Sequence, residues 1–156
     1  MPLTIPERVA ERIRKEAEKQ GLTPEAYIIE AVTWDLDPDE KAREYIESAS
    51  TLIEQAKEEL RKGDLRQASE KVWGACALAI MVHAAARKGL VLKSHADLWL
   101  YKDEVVNELG EWVRGAFLMA DSMHKNFYEG LATEKDVTVA LGEVEKLVKA
   151  IREVLK

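Results

Sequence analysis

Apolar residues recur at intervals of three and four along almost the whole chain, the spacing of α-helices that bury one face. From Pro38 to about Lys62 the set Ala42, Tyr45, Ile46, Ala49, Leu52, Ile53, Ala56 and Leu60 keeps that period unbroken. Val137, Ala140, Leu141, Val144, Leu147, Val148, Ile151 and Leu155 mark a second long helix at the end of the sequence. Between them, the stretch from Val72 to Ala86 is apolar on nearly every face, which predicts a helix surrounded by others. Its Gly74, Ala75, Ala77, Ala79, Ala84, Ala85 and Ala86 let neighbouring helices approach closely. Trp112, Ala116, Met119, Ala120, Met123 and Phe127 trace a further helix, and three shorter ones precede or interrupt the long ones.

Local punctuation sets the limits of these helices. Thr23-Pro24-Glu25 and Asp37-Pro38-Asp39-Glu40 read as helix starts, with a side-chain cap, a proline in the first turn and an acid near the positive helix end. Asp64, Ser94 and Thr133 are further caps, and Asp136 gives Thr133 a capping-box-like partner. Gly21, Gly63, Gly89 and Gly130 mark helix stops, and Gly110 an interruption. Ahead of the first helix, Leu3-Thr4-Ile5 reads as a short strand flanked by Pro2 and Pro6. The predicted fold is all-α: a strand-helix-helix arm at 1–36, then an antiparallel up-and-down bundle at 37–156, the short loops placing consecutive helices side by side. An unpaired ribbon strand and long amphipathic helices predict a homodimer.

Composition narrows the function. The 156 residues carry a net charge of -6, against the basic footprint of a duplex-DNA binder, although a local phosphate site remains compatible with it. Charged residues make up 33% of the chain and amides are sparse, a bias of thermophile proteins. The lone Cys76 sits in the apolar central run, so no internal disulfide can form and a reduced compartment is expected. No signal-like stretch opens the chain and no window nears the roughly 20 apolar residues of a membrane span, so the expected location is the cytoplasm.

Two resemblances follow. Leu3-Thr4-Ile5-Pro6, a helix, Gly21-Leu22-Thr23-Pro24-Glu25-Ala26-Tyr27 and a second helix resemble half of a ribbon-helix-helix. That family reads DNA with outward strand residues, and here the strand offers only Thr4, without a long donor for base edges. The remainder resembles the archaeal PaREP1 family, a branch of the HEPN superfamily of helical bundles. The resemblance rests on Ala68-Ser69-Glu70-Lys71-Val72-Trp73-Gly74-Ala75, Arg87-Lys88-Gly89-Leu90, Ser94-His95 and Met123-His124-Lys125-Asn126-Phe127-Tyr128-Glu129. It implies an up-and-down bundle, dimerisation and a link to nucleotides or RNA. Many HEPN members are metal-independent RNases with an Arg followed by four to six residues and a His. This chain departs from that pattern: Arg114 stands ten positions before His124, and Arg87 eight before His95.

Two groups of residues are candidate sites. Asp121, His124 and Tyr128 share one side of a helix with Phe127; Asp121 would orient the imidazole, His124 would take a proton from a ribose 2′-OH, Tyr128 would donate a proton or hold a phosphate, and Arg114 or the Arg87 patch would steady phosphate. The competing reading is a polar network tying helices together. Arg87, Lys88, Lys93 and His95 form the one local basic patch, next to a helix start able to hold phosphate; alternatively, Arg87 and Lys88 only complement a helix dipole. Glu70 is placed to meet His124 or Arg114 across the bundle, or to stay solvated, with Lys71 on another face. Trp73 reads as core. His83 reads as a hydrogen-bonded core histidine, and no residues at ligand spacing around it or Cys76 point to a metal. Neither a metal nor a cofactor is expected. Three functions stay open: a non-catalytic HEPN-like binding or interaction module for a nucleotide, RNA or protein in a toxin–antitoxin or defence setting; a metal-independent RNase using His124; and a DNA-binding regulator acting through the arm.

Overall fold

The local signals become helices almost residue for residue. In the computed structural model, which describes residues 3–156, the order is α1 (Glu7–Gln20), α2 (Pro24–Thr33), α3 (Pro38–Lys62), α4 (Leu65–Lys88), α5 (His95–Leu109), α6 (Trp112–Glu129) and α7 (Glu134–Val154). Thr23, Asp37, Asp64, Ser94 and Thr133 each accept a backbone N–H of the first turn they precede. At Thr133 the Asp136 carboxylate also takes the Thr133 N–H, completing the capping box.

The expected strand is a correction. Leu3–Pro6 forms no strand, and Pro2 lies outside the described residues. A strand exists only through its ladder of hydrogen bonds, and among the described residues no second strand stands beside this one. Leu3 and Ile5 are left exposed.

The expected bundle is present, and its side-chain pairs fix the directions of the long helices. Lys57 meets Glu145 while Glu47 meets Arg152, so α3 and α7 run antiparallel. Ser69 meets Asn126 while Trp73 meets Phe117, so α4 and α6 also run antiparallel. Only Gly63 and Asp64 separate α3 from α4, which turns them back on each other. Helix α4 is the axis. It is buried from Val72 to Ala85, and its alanines let α3, α6 and α7 pack close around it. Asn126 points inward: its Nδ2 donates to Ser69 Oγ, and its Oδ1 accepts the Ala132 N–H. None of the helices is long and apolar enough to cross a membrane, among the described residues.

Helix α2 is tied to α3 by charge as well as packing. Glu30 accepts hydrogen bonds from Lys41 Nζ, at 3.2 Å, and from the Tyr45 hydroxyl. Lys41 and Tyr45 are both buried, and burial beside this carboxylate raises the Tyr45 phenol far above its usual range. His83 behaves as a core histidine: Nδ1 meets the Tyr101 hydroxyl and Nε2 meets Glu108 Oε1, both at 2.8 Å.

Glu108 links His83 to Arg87, whose Nε and Nη2 donate to it at 3.0 and 2.7 Å. Hydrogen bonding from Arg87, then from His83, holds the Glu108 carboxyl down at about 2, from an ordinary 4.5. A depressed carboxyl contributes stability above its unfolded value and loses it as pH falls through the folded one. The thermal midpoint of the native chain is therefore expected to fall more steeply between pH 4.5 and about 2 than that of Glu108→Gln. Parallel curves in calorimetry would remove Glu108 from the acid limb.

Candidate functional site

The start of α5 carries His95, and α6 carries Asp121, Lys125, His124 and Tyr128 along one side. Helix α4 sends Glu70 and Trp73 towards them from the bundle axis. His95 and His124, read separately from sequence, meet here: their ring centroids are 6.0 Å apart. The buried Trp73 ring lies against both, at 5.4 and 5.5 Å. Its Nε1–H has no acceptor among the described residues, and the Trp73 ring also packs against that of Phe117.

Each imidazole is held by a buried carboxylate. His124 Nδ1 lies 3.1 Å from Glu70 Oε2, one of the alternatives open for Glu70 in the sequence, the other being a solvated position. Asp121 does not orient His124, as expected from their spacing on α6. It turns to His95, with Oδ1 2.7 Å from Nε2, while Lys125 Nζ stands 3.3 Å from Oδ2. One turn of helix puts two side chains on a common side without making them partners, and the shorter reach from Asp121 runs across to α5. His95 Nε2 has a second neighbour, Trp99 Nε1, at 3.0 Å. Carrying hydrogen, Nε2 donates to Asp121; bare, it accepts from the Trp99 indole. The two bonds exclude each other, so the protonation of one nitrogen selects its partner.

Aromatic rings extend the cluster to solvent. Trp99 is 36% exposed and Tyr128 53%, with the Tyr128 ring 5.8 Å from that of His124. Beneath Trp99, the buried Lys102 ammonium lies 4.9 Å from the ring centroid and donates to the Trp99 carbonyl at 2.9 Å. Burial, with Glu18 and Glu70 alongside, keeps the Tyr128 hydroxyl above its usual range, so it is a donor at neutral pH. Glu70 and Tyr128 also line a cleft of about 440 Å³ between α1, α2 and the bundle, with Arg14 and Lys71 on its walls. Lys71 is held there by Glu25 at 3.0 Å.

The α1–α2 corner roofs the site. Gly21 adopts φ 70°, and a methyl group there would stand 2.3 Å from His95 Cβ. This position thus requires glycine twice, for its left-handed backbone and for its closeness to His95.

The cations expected around phosphate are elsewhere. Arg114 is held by Glu111 at 2.6 Å and Asp103 at 2.8 Å. The basic patch does not converge: Arg87 is bound to Glu108, Lys88 and Lys93 are exposed, and His95 faces Asp121. No group of three or more His, Cys, Asp or Glu side chains is placed to hold a metal ion, among the described residues. Trp99 was not singled out in the sequence, although its spacing of four from His95 on α5 is a local signal; the meeting of His95 with His124 and Asp121 depends on how three helices pack.

The model of the archaeal PaREP1/PaREP8 family matches residues 44–148, a span that includes every side chain of the histidine cluster but not Gly21. The chain is also similar to a protein from Sulfolobus solfataricus of known crystal structure. The two are 28% identical over 70% of this chain and 97% of that one, with a TM-score of 0.63. No curated protein matches the chain.

Proposed function

Starting from the fact that the chain belongs to the archaeal PaREP1/PaREP8 family, we propose that it is a HEPN-like binding module that seats a nucleotide or an RNA end at the histidine cluster without turning it over. Residues 37–156 supply the bundle, residues 1–36 an arm over the site, and two copies associate through the exposed arm. The observation that carries this reading is the pair of exposed flat rings, Trp99 and Tyr128, beside the two imidazoles of His95 and His124, each locked to a buried carboxylate. Unstacked bases bind on such faces at about 1–3 kcal/mol each. Lys102 and Lys125 place positive charge beside them.

A second reading, a metal-independent RNase, draws on one feature. Glu70 holds His124 through Nδ1, which leaves Nε2 as the nitrogen able to take a proton from a 2′-OH. Against it, Arg114 is held on another face by Glu111 and Asp103.

One titration tests both. A short mixed-sequence oligoribonucleotide, added at low ionic strength, is expected to quench tryptophan emission and to remain intact. Trp99→Ala is expected to weaken binding by about 5–150-fold, the loss of one stacked base. Absence of salt-sensitive binding would remove the module reading. Cleavage by the wild type that disappears in His124→Ala would establish the RNase instead.

A further inference from the structure

The antiparallel order brings the start of α3 and the ends of α4 and α7 to one end of the bundle. A cleft of about 660 Å³ opens there, away from the histidine cluster. That volume is in the range of small-molecule sites. Its apolar wall is made by Ala42, Ile46, Val82, Ala86 and Leu155, and its charged lining includes Arg43, Arg87 and Arg152. Three guanidinium groups and the Lys156 ammonium outnumber the carboxylates of Asp39 and Glu47 here, in a chain with a net charge of -6.

Two of the three have a structural reason to be present. Arg87 and Arg152 lie in the last turns of α4 and α7, where cations complement the negative helix ends. Because α4 and α7 finish side by side, those cations gather. Both are also engaged: Arg87 with Glu108 and the Val154 carbonyl, Arg152 with Glu47 and Ser50. Arg43 has neither reason. It lies in the second turn of α3, at the end where a helix favours anions, and it has no ion-pair or hydrogen-bond partner among the described residues. Asp39 and Glu47 also line the cleft, and Glu47 is already paired with Arg152.

We propose that this cleft binds a small organic phosphate, its phosphate on the Arg43 guanidinium with Arg87 and Arg152 alongside, and its planar or apolar body against Ile46, Val82 and Leu155. Guanidinium matches phosphate with two parallel hydrogen bonds, and it also stacks on flat rings, so one residue type serves both parts of the ligand. The inference uses no residue of the histidine cluster.

The test is calorimetric titration of the full chain with adenosine monophosphate, inorganic phosphate and adenosine. Adenosine monophosphate is expected to bind more tightly than either fragment. Arg43→Ala should weaken it by about 10–150-fold, the loss of a charge-assisted hydrogen bond. Arg43→Lys, which keeps the charge but not the fork, should fall between. Arg114→Ala, a cation held on another face by Glu111 and Asp103, should leave the affinity within about twofold. Arg43 is exposed, so these variants are expected to keep the native fold, checked by circular dichroism. Absence of nucleotide binding would overturn the proposal, and so would binding indifferent to Arg43. Binding abolished by His124→Ala would overturn it as well and move the ligand to the histidine cluster. Equal affinity for inorganic phosphate would reject the apolar wall as part of the site.

Discussion

Glu30→Ala is expected to destabilise the chain by about 3–5 kcal/mol, the cost of leaving a buried charge without its partner. Lys41 is 5% exposed, and Glu30 is the carboxylate that its ammonium reaches. Tyr45, buried alongside, loses its acceptor in the same step. The damage should be largely repaired by Lys41→Met in the same chain, since that removes the stranded charge and keeps the volume. A double-mutant cycle in urea measures the coupling. A single-site loss below about 1 kcal/mol would mean that Lys41 reaches water on its own. Glu30→Gln, which keeps an acceptor, should fall between the native chain and Glu30→Ala.

Gly21→Ala is expected to cost about 2–5 kcal/mol, from the left-handed backbone and from overpacking against His95. The added methyl group would lie 2.3 Å from His95 Cβ, and Cβ cannot rotate away as a side-chain tip can. Either the α1–α2 corner lifts or His95 moves off Asp121. Both outcomes disturb the histidine cluster, so the RNA binding proposed for it should weaken together with stability. Gly63→Ala is the control: it shares the positive φ but has nothing within 4 Å, so it should show the backbone cost alone. Equal losses for the two variants would show that the corner does not press on His95.

The helices were legible because their causes are local. Thr23 captures the N–H three residues ahead, Pro38 tolerates the first turn, and the 3–4 period between Ala42 and Leu60 needs no knowledge of what covers it. The buried α4 was legible for a similar reason, since a run apolar on every face can only be enclosed. The Leu3–Ile5 stretch misled because a strand is a property of two segments, and the sequence displays one at a time. The site was half legible. Glu70 meets His124 because Glu70, like Trp73 three residues on, points at α6. The pairing of Asp121 with His95 was hidden, because proximity along α6 favoured His124 and only the docking of α5 reverses that choice. The position of Arg87 in the last turn of α4 was legible, yet its gathering with Arg152 and Arg43 required the parallel ends of α4 and α7.

Cys76 lies fully buried in the central helix, and burial, with Asp121 as a lesser influence, raises its thiol far above the usual range. A thiol reagent attacks the thiolate and must reach it, so the closed molecule is shielded on both counts. The chain therefore carries a single chemical clock at its axis. With only one cysteine in the sequence, the rate of labelling counts openings of α4 and nothing else. Ligands seated at either end of the bundle would slow that clock by the factor with which they hold the helices shut, whatever their own optical signal.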